Sequence, residues 1–211
     1  MACQTKTKRF SQSPYRQFVL RSGAVAFALL ALFSGQMLAE EAVVTLDPAK
    51  SQVEFTLEST LHKVHGSFKL KSGTINYDTA TGAARGAIVV DATSGNSGNR
   101  SRDNKMHKDI LESARYPEIV FIPEKVSGTT AQGASRVEVS GTFRVHGAGH
   151  ELTLSIPLTI DGNSVSASTN FAVPYQAWGM KNPSTLFLRV SDKVSISIRT
   201  VGSIARHASM R

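Results

Sequence analysis

Cysteine is nearly missing: the single one in 211 residues is Cys3. Everything downstream of it therefore lacks a disulfide, a thiolate nucleophile, a Cys-ligated zinc and a covalently attached c-type haem. Acidic residues are missing from the first 39 positions, which hold Lys6, Lys8, Arg9, Arg16 and Arg21. From position 40 onward nineteen Lys and Arg face sixteen Asp and Glu, so the formal charge of +8 is not a general basic surface. That distribution removes nucleic acid as a partner. Charged residues make up 19% and aromatics 7%, a composition that fits neither a disordered chain nor a coiled coil. The apolar run Gly23–Phe33 has 11 residues, short of the roughly 20 that a membrane-spanning helix needs.

That short run is the right length for something else. A basic stretch, an apolar core and the small-residue end Ser34–Ala39 make an export signal. Residues 1–39 are expected to be the signal peptide, cut after Ala39, with the protein periplasmic or secreted and no stable membrane span left. An uncleaved anchor is the alternative, and the short core disfavours it. Residues 40–203 then form one domain, large enough for its own core in a chain of 41% hydrophobic content, and residues 204–211 read as a frayed tail.

Along that domain the hydrophobic period is two. Val53, Phe55 and Leu57 alternate with Gln52, Glu54 and Thr56, and Val64, Phe68 and Leu70 with His65, Lys69 and Lys71. The same alternation runs through 136–145, 151–160, 164–173 and 193–199. Successive strand side chains point to opposite faces, so each run is a strand with one buried and one wet face, the pattern of antiparallel sheets. Short Gly-bearing connections at 78–82, 147–149 and 161–163 join neighbours as hairpins. With shorter strands near 85–92 and 118–122, the fold class is all-β: an extended antiparallel barrel of about eight strands, or a sandwich. A transmembrane barrel does not fit, because Lys69, Lys71, Arg136, Glu138, Arg144, Lys193 and Arg199 would crowd a narrow lumen.

One segment breaks the period. Met106, Ile110 and Ala114 recur at helical spacing, which predicts a helix over about 100–114, stopped before Pro117 and placed to cover a barrel end. The inward residues of a barrel of this size either fill it or line a cavity for an apolar ligand. Parity and size select Phe55, Leu57, Phe68, Phe121, Phe143, Leu154 and Phe171 as the cavity wall. Arg100, Arg102, Lys105 and Lys108 on the helix are either a solvated face or a greeting for an anionic head group. Phe187 is opposite in parity to Leu186 and Leu188, and could face a second copy in a homodimer.

Catalytic and metal signals are weak. His62 with His65 and His146 with His150 invite a metal, but the second pair flanks a Gly-rich turn and His65 shares a face with two lysines. Asp103 and His107 stand four apart, as an orienter and base could, yet Ser101 has no nucleophile elbow around it. No catalytic residue, metal or cofactor is therefore assigned. A histidine-dependent enzyme, with or without a metal, and a structural or stress module with a filled barrel stay open as alternatives.

Several segments carry a family resemblance. Arg102–Phe121 (RDNKMHKDILESARYPEIVF), Asp47–Phe55 (DPAKSQVEF) and Val64–Phe68 (VHGSF) resemble the YceI-like family, as do Gly141–Gly147 (GTFRVHG) and Leu152–Pro157 (LTLSIP). The resemblance spans about 43–200, in matching order. It implies a lipocalin-like barrel, similar to lipocalins in architecture alone since their Gly-x-Trp motif is absent. It also implies a polyisoprenoid or isoprenoid quinone in the barrel and, for many members, a periplasmic location.

Overall fold

The computed structural model describes residues 39–185 and 188–209; the expected signal peptide up to residue 38, and Phe187, lie outside the described residues. Nine strands follow in order: β1 (Ala39–Leu46), β2 (Gln52–Ser59), β3 (Lys63–Asp78), β4 (Ala84–Asn96), β5 (Glu118–Gly128), β6 (Gly133–Val145), β7 (Ala148–Asp161), β8 (Ser164–Val173) and β9 (Val190–Ser209). From β2 to β9 each pairs antiparallel with the next, and β9 pairs back with β2. The result is a closed eight-stranded antiparallel barrel, as the alternation predicts, and not a sandwich.

The ninth strand extends one of the eight. β1 lies between β3 and β9, the same two strands that flank β2, with Thr45 opposite Thr74 and Val53 opposite Phe68. β1 and β2 are thus two lengths of one stave, interrupted by a 3-10 turn at Pro48–Lys50. Asp47 makes the interruption: its Oδ1 accepts from the Ala49 N–H at 2.9 Å, while its own N–H reaches Val201 O. Residues 204–209 are not a frayed tail. β9 continues to Ser209, Ile204 is buried, and Ala205–Ser209 pair with β1. The partner strand is 160 residues away in sequence, so no local pattern announces it.

Parity holds inside each strand until a bulge resets it. In β3 the inward residues run Val64, Phe68, Leu70 and then Gly73, Ile75, Tyr77, with the shift between Leu70 and Ser72. A similar irregularity in β5 carries the inside from Phe121 and Pro123 to Val126. An extra residue on one strand bends it and sharpens the twist, which helps a sheet close.

The barrel is laced unevenly. β6 and β7 pair along their whole length, whereas β7 and β8 pair only from Leu158–Asp161 to Ser164–Ala167. Pro157 has no N–H to continue that ladder, and a central strand loses its pairing at such a residue. Above it the contact passes to a side chain, with the Thr169 hydroxyl donating to Ser155 O at 3.3 Å.

The helix is shorter than its sequence stripe. Regular α-helix α1 covers Arg100–Lys105, with the Asn99 side chain accepting from Arg102 N–H, and a single wide π-type turn follows over Met106–Ile110. The His107 ring holds that widened turn, sitting 2.9 Å from Gly95 O and 3.0 Å from Ser113 Oγ. The backbone then reverses through Glu112, at φ 46°. Residues 111–114 therefore turn where the stripe predicts helix.

Candidate ligand-binding cavity

Two cavities lie along the barrel axis. The inner one, about 160 Å3, is walled almost wholly by strands, among them Leu46, Leu70, Val90, Val139, Ile156 and Ile198. Two of its polar neighbours satisfy each other, the Tyr77 hydroxyl donating to Thr130 Oγ1 at 2.8 Å. Apolar voids of this size stay dry in proteins. The outer one, about 570 Å3, sits under α1 and the β8–β9 connection. Ile119 and Phe143 stand in the walls of both, so the two spaces abut at that level.

All seven residues selected by parity lie on these walls. Phe55, Leu57 and Phe68 border the outer chamber; Phe121, Leu154 and Phe171 border the inner; Phe143 borders both. Glycine makes room for two of the rings. A Cβ on Gly66 would enter the Phe55 ring, and one on Gly95 would come within 2.6 Å of Phe68 and 2.7 Å of Met106. Phe55 and Phe68 then tilt together with centroids 5.4 Å apart, and Phe143 meets Phe171 edge-on at 6.0 Å.

The roof was not legible from strand parity. Met106, Ile110 and Leu111 descend from α1 and the π turn, and Tyr175, Met180 and Leu188 come from the connection between β8 and β9. Tyr175 and Met180 are buried, which packs that connection onto Val145 and Val173. The Tyr175 hydroxyl donates to Ser191 O at 2.6 Å. Burial, reinforced by the nearby Asp192 charge, pushes its pKa above the usual phenol value. Trp178 stacks on His150 in parallel, centroids 4.0 Å apart, and reaches Phe143 at 5.8 Å.

The four helix cations divide. Arg102 and Lys105 line the outer chamber; Arg100 and Lys108 are exposed and do not. Arg102 is held at the rim by Ser97, its Nε donating to Oγ at 2.7 Å and its Nη2 to the carbonyl at 2.8 Å. Lys105 Nζ reaches Pro183 O at 3.4 Å. His62 joins the rim from the β2–β3 turn.

The histidines and acids do not assemble as a catalytic pair. Asp103 takes the Ser97 N–H at 2.9 Å and the Ser97 hydroxyl, while His107 turns to Gly95 and Ser113. His65 faces outward against Thr56 Oγ1, and His146 packs on Tyr116 with Nε2 3.2 Å from Glu112 Oε1, poorly aligned for a hydrogen bond. Neither sequence-adjacent histidine pair converges on one point.

The YceI-like domain family matches this chain over residues 44–201. The protein belongs to the YceI-like family. Among curated relatives, UPF0312 proteins of Pseudomonas syringae pv. tomato and pv. syringae are each 27% identical over 142 residues, covering 66% of this chain and 72% of theirs. Among solved structures, BcnA of Burkholderia cenocepacia aligns with a TM-score of 0.61 at 18% identity, over 74% of this chain and 98% of that one. A polyisoprenoid binding domain from Saccharophagus degradans aligns with a TM-score of 0.58 at 17% identity, over 80% and 99%. The Campylobacter jejuni YceI protein gives 0.53 at 20% identity, over 68% and 86%. At these identities the likeness shows a shared fold. This YceI-like barrel has the architecture of its relatives.

Proposed function

We propose that this YceI-like protein is an exported carrier that encloses the apolar tail of a polyisoprenoid lipid, of prenyl or quinone type, within its barrel. The observation that carries this reading is the pair of cavities that abut at Ile119 and Phe143 and are walled largely by branched aliphatic and aromatic side chains. Each methylene moved from water into such a space gains about 0.8 kcal/mol before ordering costs. The solved Saccharophagus degradans relative described as polyisoprenoid-binding supports the choice of tail. Binding is favoured over catalysis because the one base-like residue on the cover, His107, has both ring nitrogens engaged in holding the fold. The basic and apolar start of the chain supports export, with cleavage after Ala39.

The test is direct. The full chain is expressed in a Gram-negative host, recovered from the periplasmic fraction, sequenced at its amino terminus and extracted with organic solvent for mass spectrometry. A mature start at Glu40 and a stoichiometric prenyl lipid are the expected results. A purified barrel that carries no lipid and takes none up on incubation with prenyl alcohols or quinones overturns the proposal.

A further inference from the structure

The outer chamber is lined by charge of one sign. Arg102, Lys105 and His62 stand in its wall together with the hydroxyls of Ser59 and Ser101 and the amide of Asn99, and no Asp or Glu lines it among the described residues. The carboxylates close by are turned to other partners. Asp103 accepts from Ser97, Glu58 pairs with Lys63 at 2.7 Å, and Glu112 approaches His146. Neither Arg102 nor Lys105 forms an ion pair with any described carboxylate. Ser97 fixes the Arg102 fork in place through Nε and Nη2, and Nη1 has no hydrogen-bond partner among the described residues. The inner chamber, by contrast, is bordered by no Lys, Arg or His among the described residues.

From this juxtaposition we infer that the barrel selects an amphiphile with an anionic head, phosphate or carboxylate, on a single apolar tail. The inference rests on the tail reading above and adds the head. A cation at the rim of an apolar cavity meets an effective dielectric below that of water, so an anion bound there gains more than it would in bulk. A neutral alcohol or quinone leaves both cations unpaired, and a cationic lipid is repelled. Because Arg102 is already held, little side-chain freedom remains to be lost when the head group arrives.

The experiment titrates the intact protein with four probes: a prenyl alcohol, the prenyl phosphate of the same tail, a long-chain fatty carboxylate and inorganic phosphate. Prenyl phosphate is expected to bind about tenfold more tightly than the alcohol, the size of one charge-assisted hydrogen bond. That advantage shrinks at high salt, which screens charges at an exposed rim. Lys105→Gln, at an exposed position, should lower affinity for the phosphate or the carboxylate severalfold and leave the alcohol unchanged. Arg102→Gln should do the same more strongly; Arg102→Lys keeps the charge and separates loss of charge from loss of the Ser97 contacts. Inorganic phosphate should not displace the prenyl phosphate. Tight alcohol binding with no preference for either anionic probe overturns the head-group inference and spares the tail reading. Displacement by equimolar inorganic phosphate also overturns it, since the tail would then be irrelevant. Failure of every prenyl probe to bind overturns the tail reading itself.

Discussion

The two halves of the bore are built by different means. The inner half is almost all strand: Ile160 is almost fully buried, in one apolar cluster with Ala42, Val137 and Ile204. The outer half borrows its walls from a six-residue helix, a π turn and the long β8–β9 connection. Regular pairing repeats every two residues and produces a uniform apolar tube. Irregular chain can place Arg102, Lys105 and His62 beside Met106 and Met180, where no strand alternation would put them. On the reading proposed above, the inner half sets what tail fits and the outer half sets the head group on top of it.

The largest effect is expected where the halves meet. Phe143→Asp puts a carboxylate between both chambers, with a burial cost of several kcal/mol unless it stays protonated or reaches water. Circular dichroism melts should show strong destabilisation, and whatever folds should lose its lipid in extraction assays. A folded Phe143→Asp variant that keeps full cargo would remove this residue from the wall. Phe68→Asp, nearer the rim, should cost less and affect the outer chamber first.

Cavity formation separates the halves next. Ile160→Ala in the strand-built half should lower unfolding free energy by about 2–5 kcal/mol, whereas Leu57→Ala, half-exposed in the outer half, should cost about 1–2 kcal/mol. Urea titrations measure both, and equal losses would erase the distinction between a rigid inner and an adaptable outer half. His107→Ala follows, at about 1–3 kcal/mol, because it leaves Gly95 O and the buried Ser113 hydroxyl without the ring between them. Hydrogen exchange should quicken at residues 106–113 and stay slow in β6.

The smallest effect concerns alkaline pH. Burial raises the Tyr175 pKa in the folded chain, so the folded state holds its proton where the unfolded chain has released it. The stability contribution is complete below the ordinary phenol pKa of about 10 and falls as pH rises through the raised value. Thermal melts should show that decline in the wild type and lose it in Tyr175→Phe.

Much of the inner half was legible in the sequence because a strand writes its inside and outside in alternate letters. Phe121, Leu154 and Phe171 are on the wall for the same reason that their neighbours Val120, Ser155 and Ala172 are not. Parity failed where a bulge intervened: nothing local marks the residue at which β3 passes its inside from Leu70 to Gly73. The outer half was harder. The apolar stripe over 100–114 announced a cover but not that it would leave α-helical geometry at Met106, which depends on His107 meeting Gly95 across the chain. Of the four cations, spacing could not tell Arg102 and Lys105 from Arg100 and Lys108, because which side of so short a helix faces the barrel is set by packing. Tyr175 and Met180 carried no periodic pattern, and only the burial of their connection reveals them.

The register that sets Ala39 opposite Ser209 makes the first and last described residues neighbours in one ladder, at the end of the barrel away from α1. A short linker could join them and new ends could be opened in the exposed turn at 60–62, giving a circularly permuted chain with every strand pairing retained. In that permutant the loose ends would hang at the rim, and the stave now split between β1 and β2 would be anchored at its far end by the linker. The natural order keeps the first and last described residues at the end away from α1.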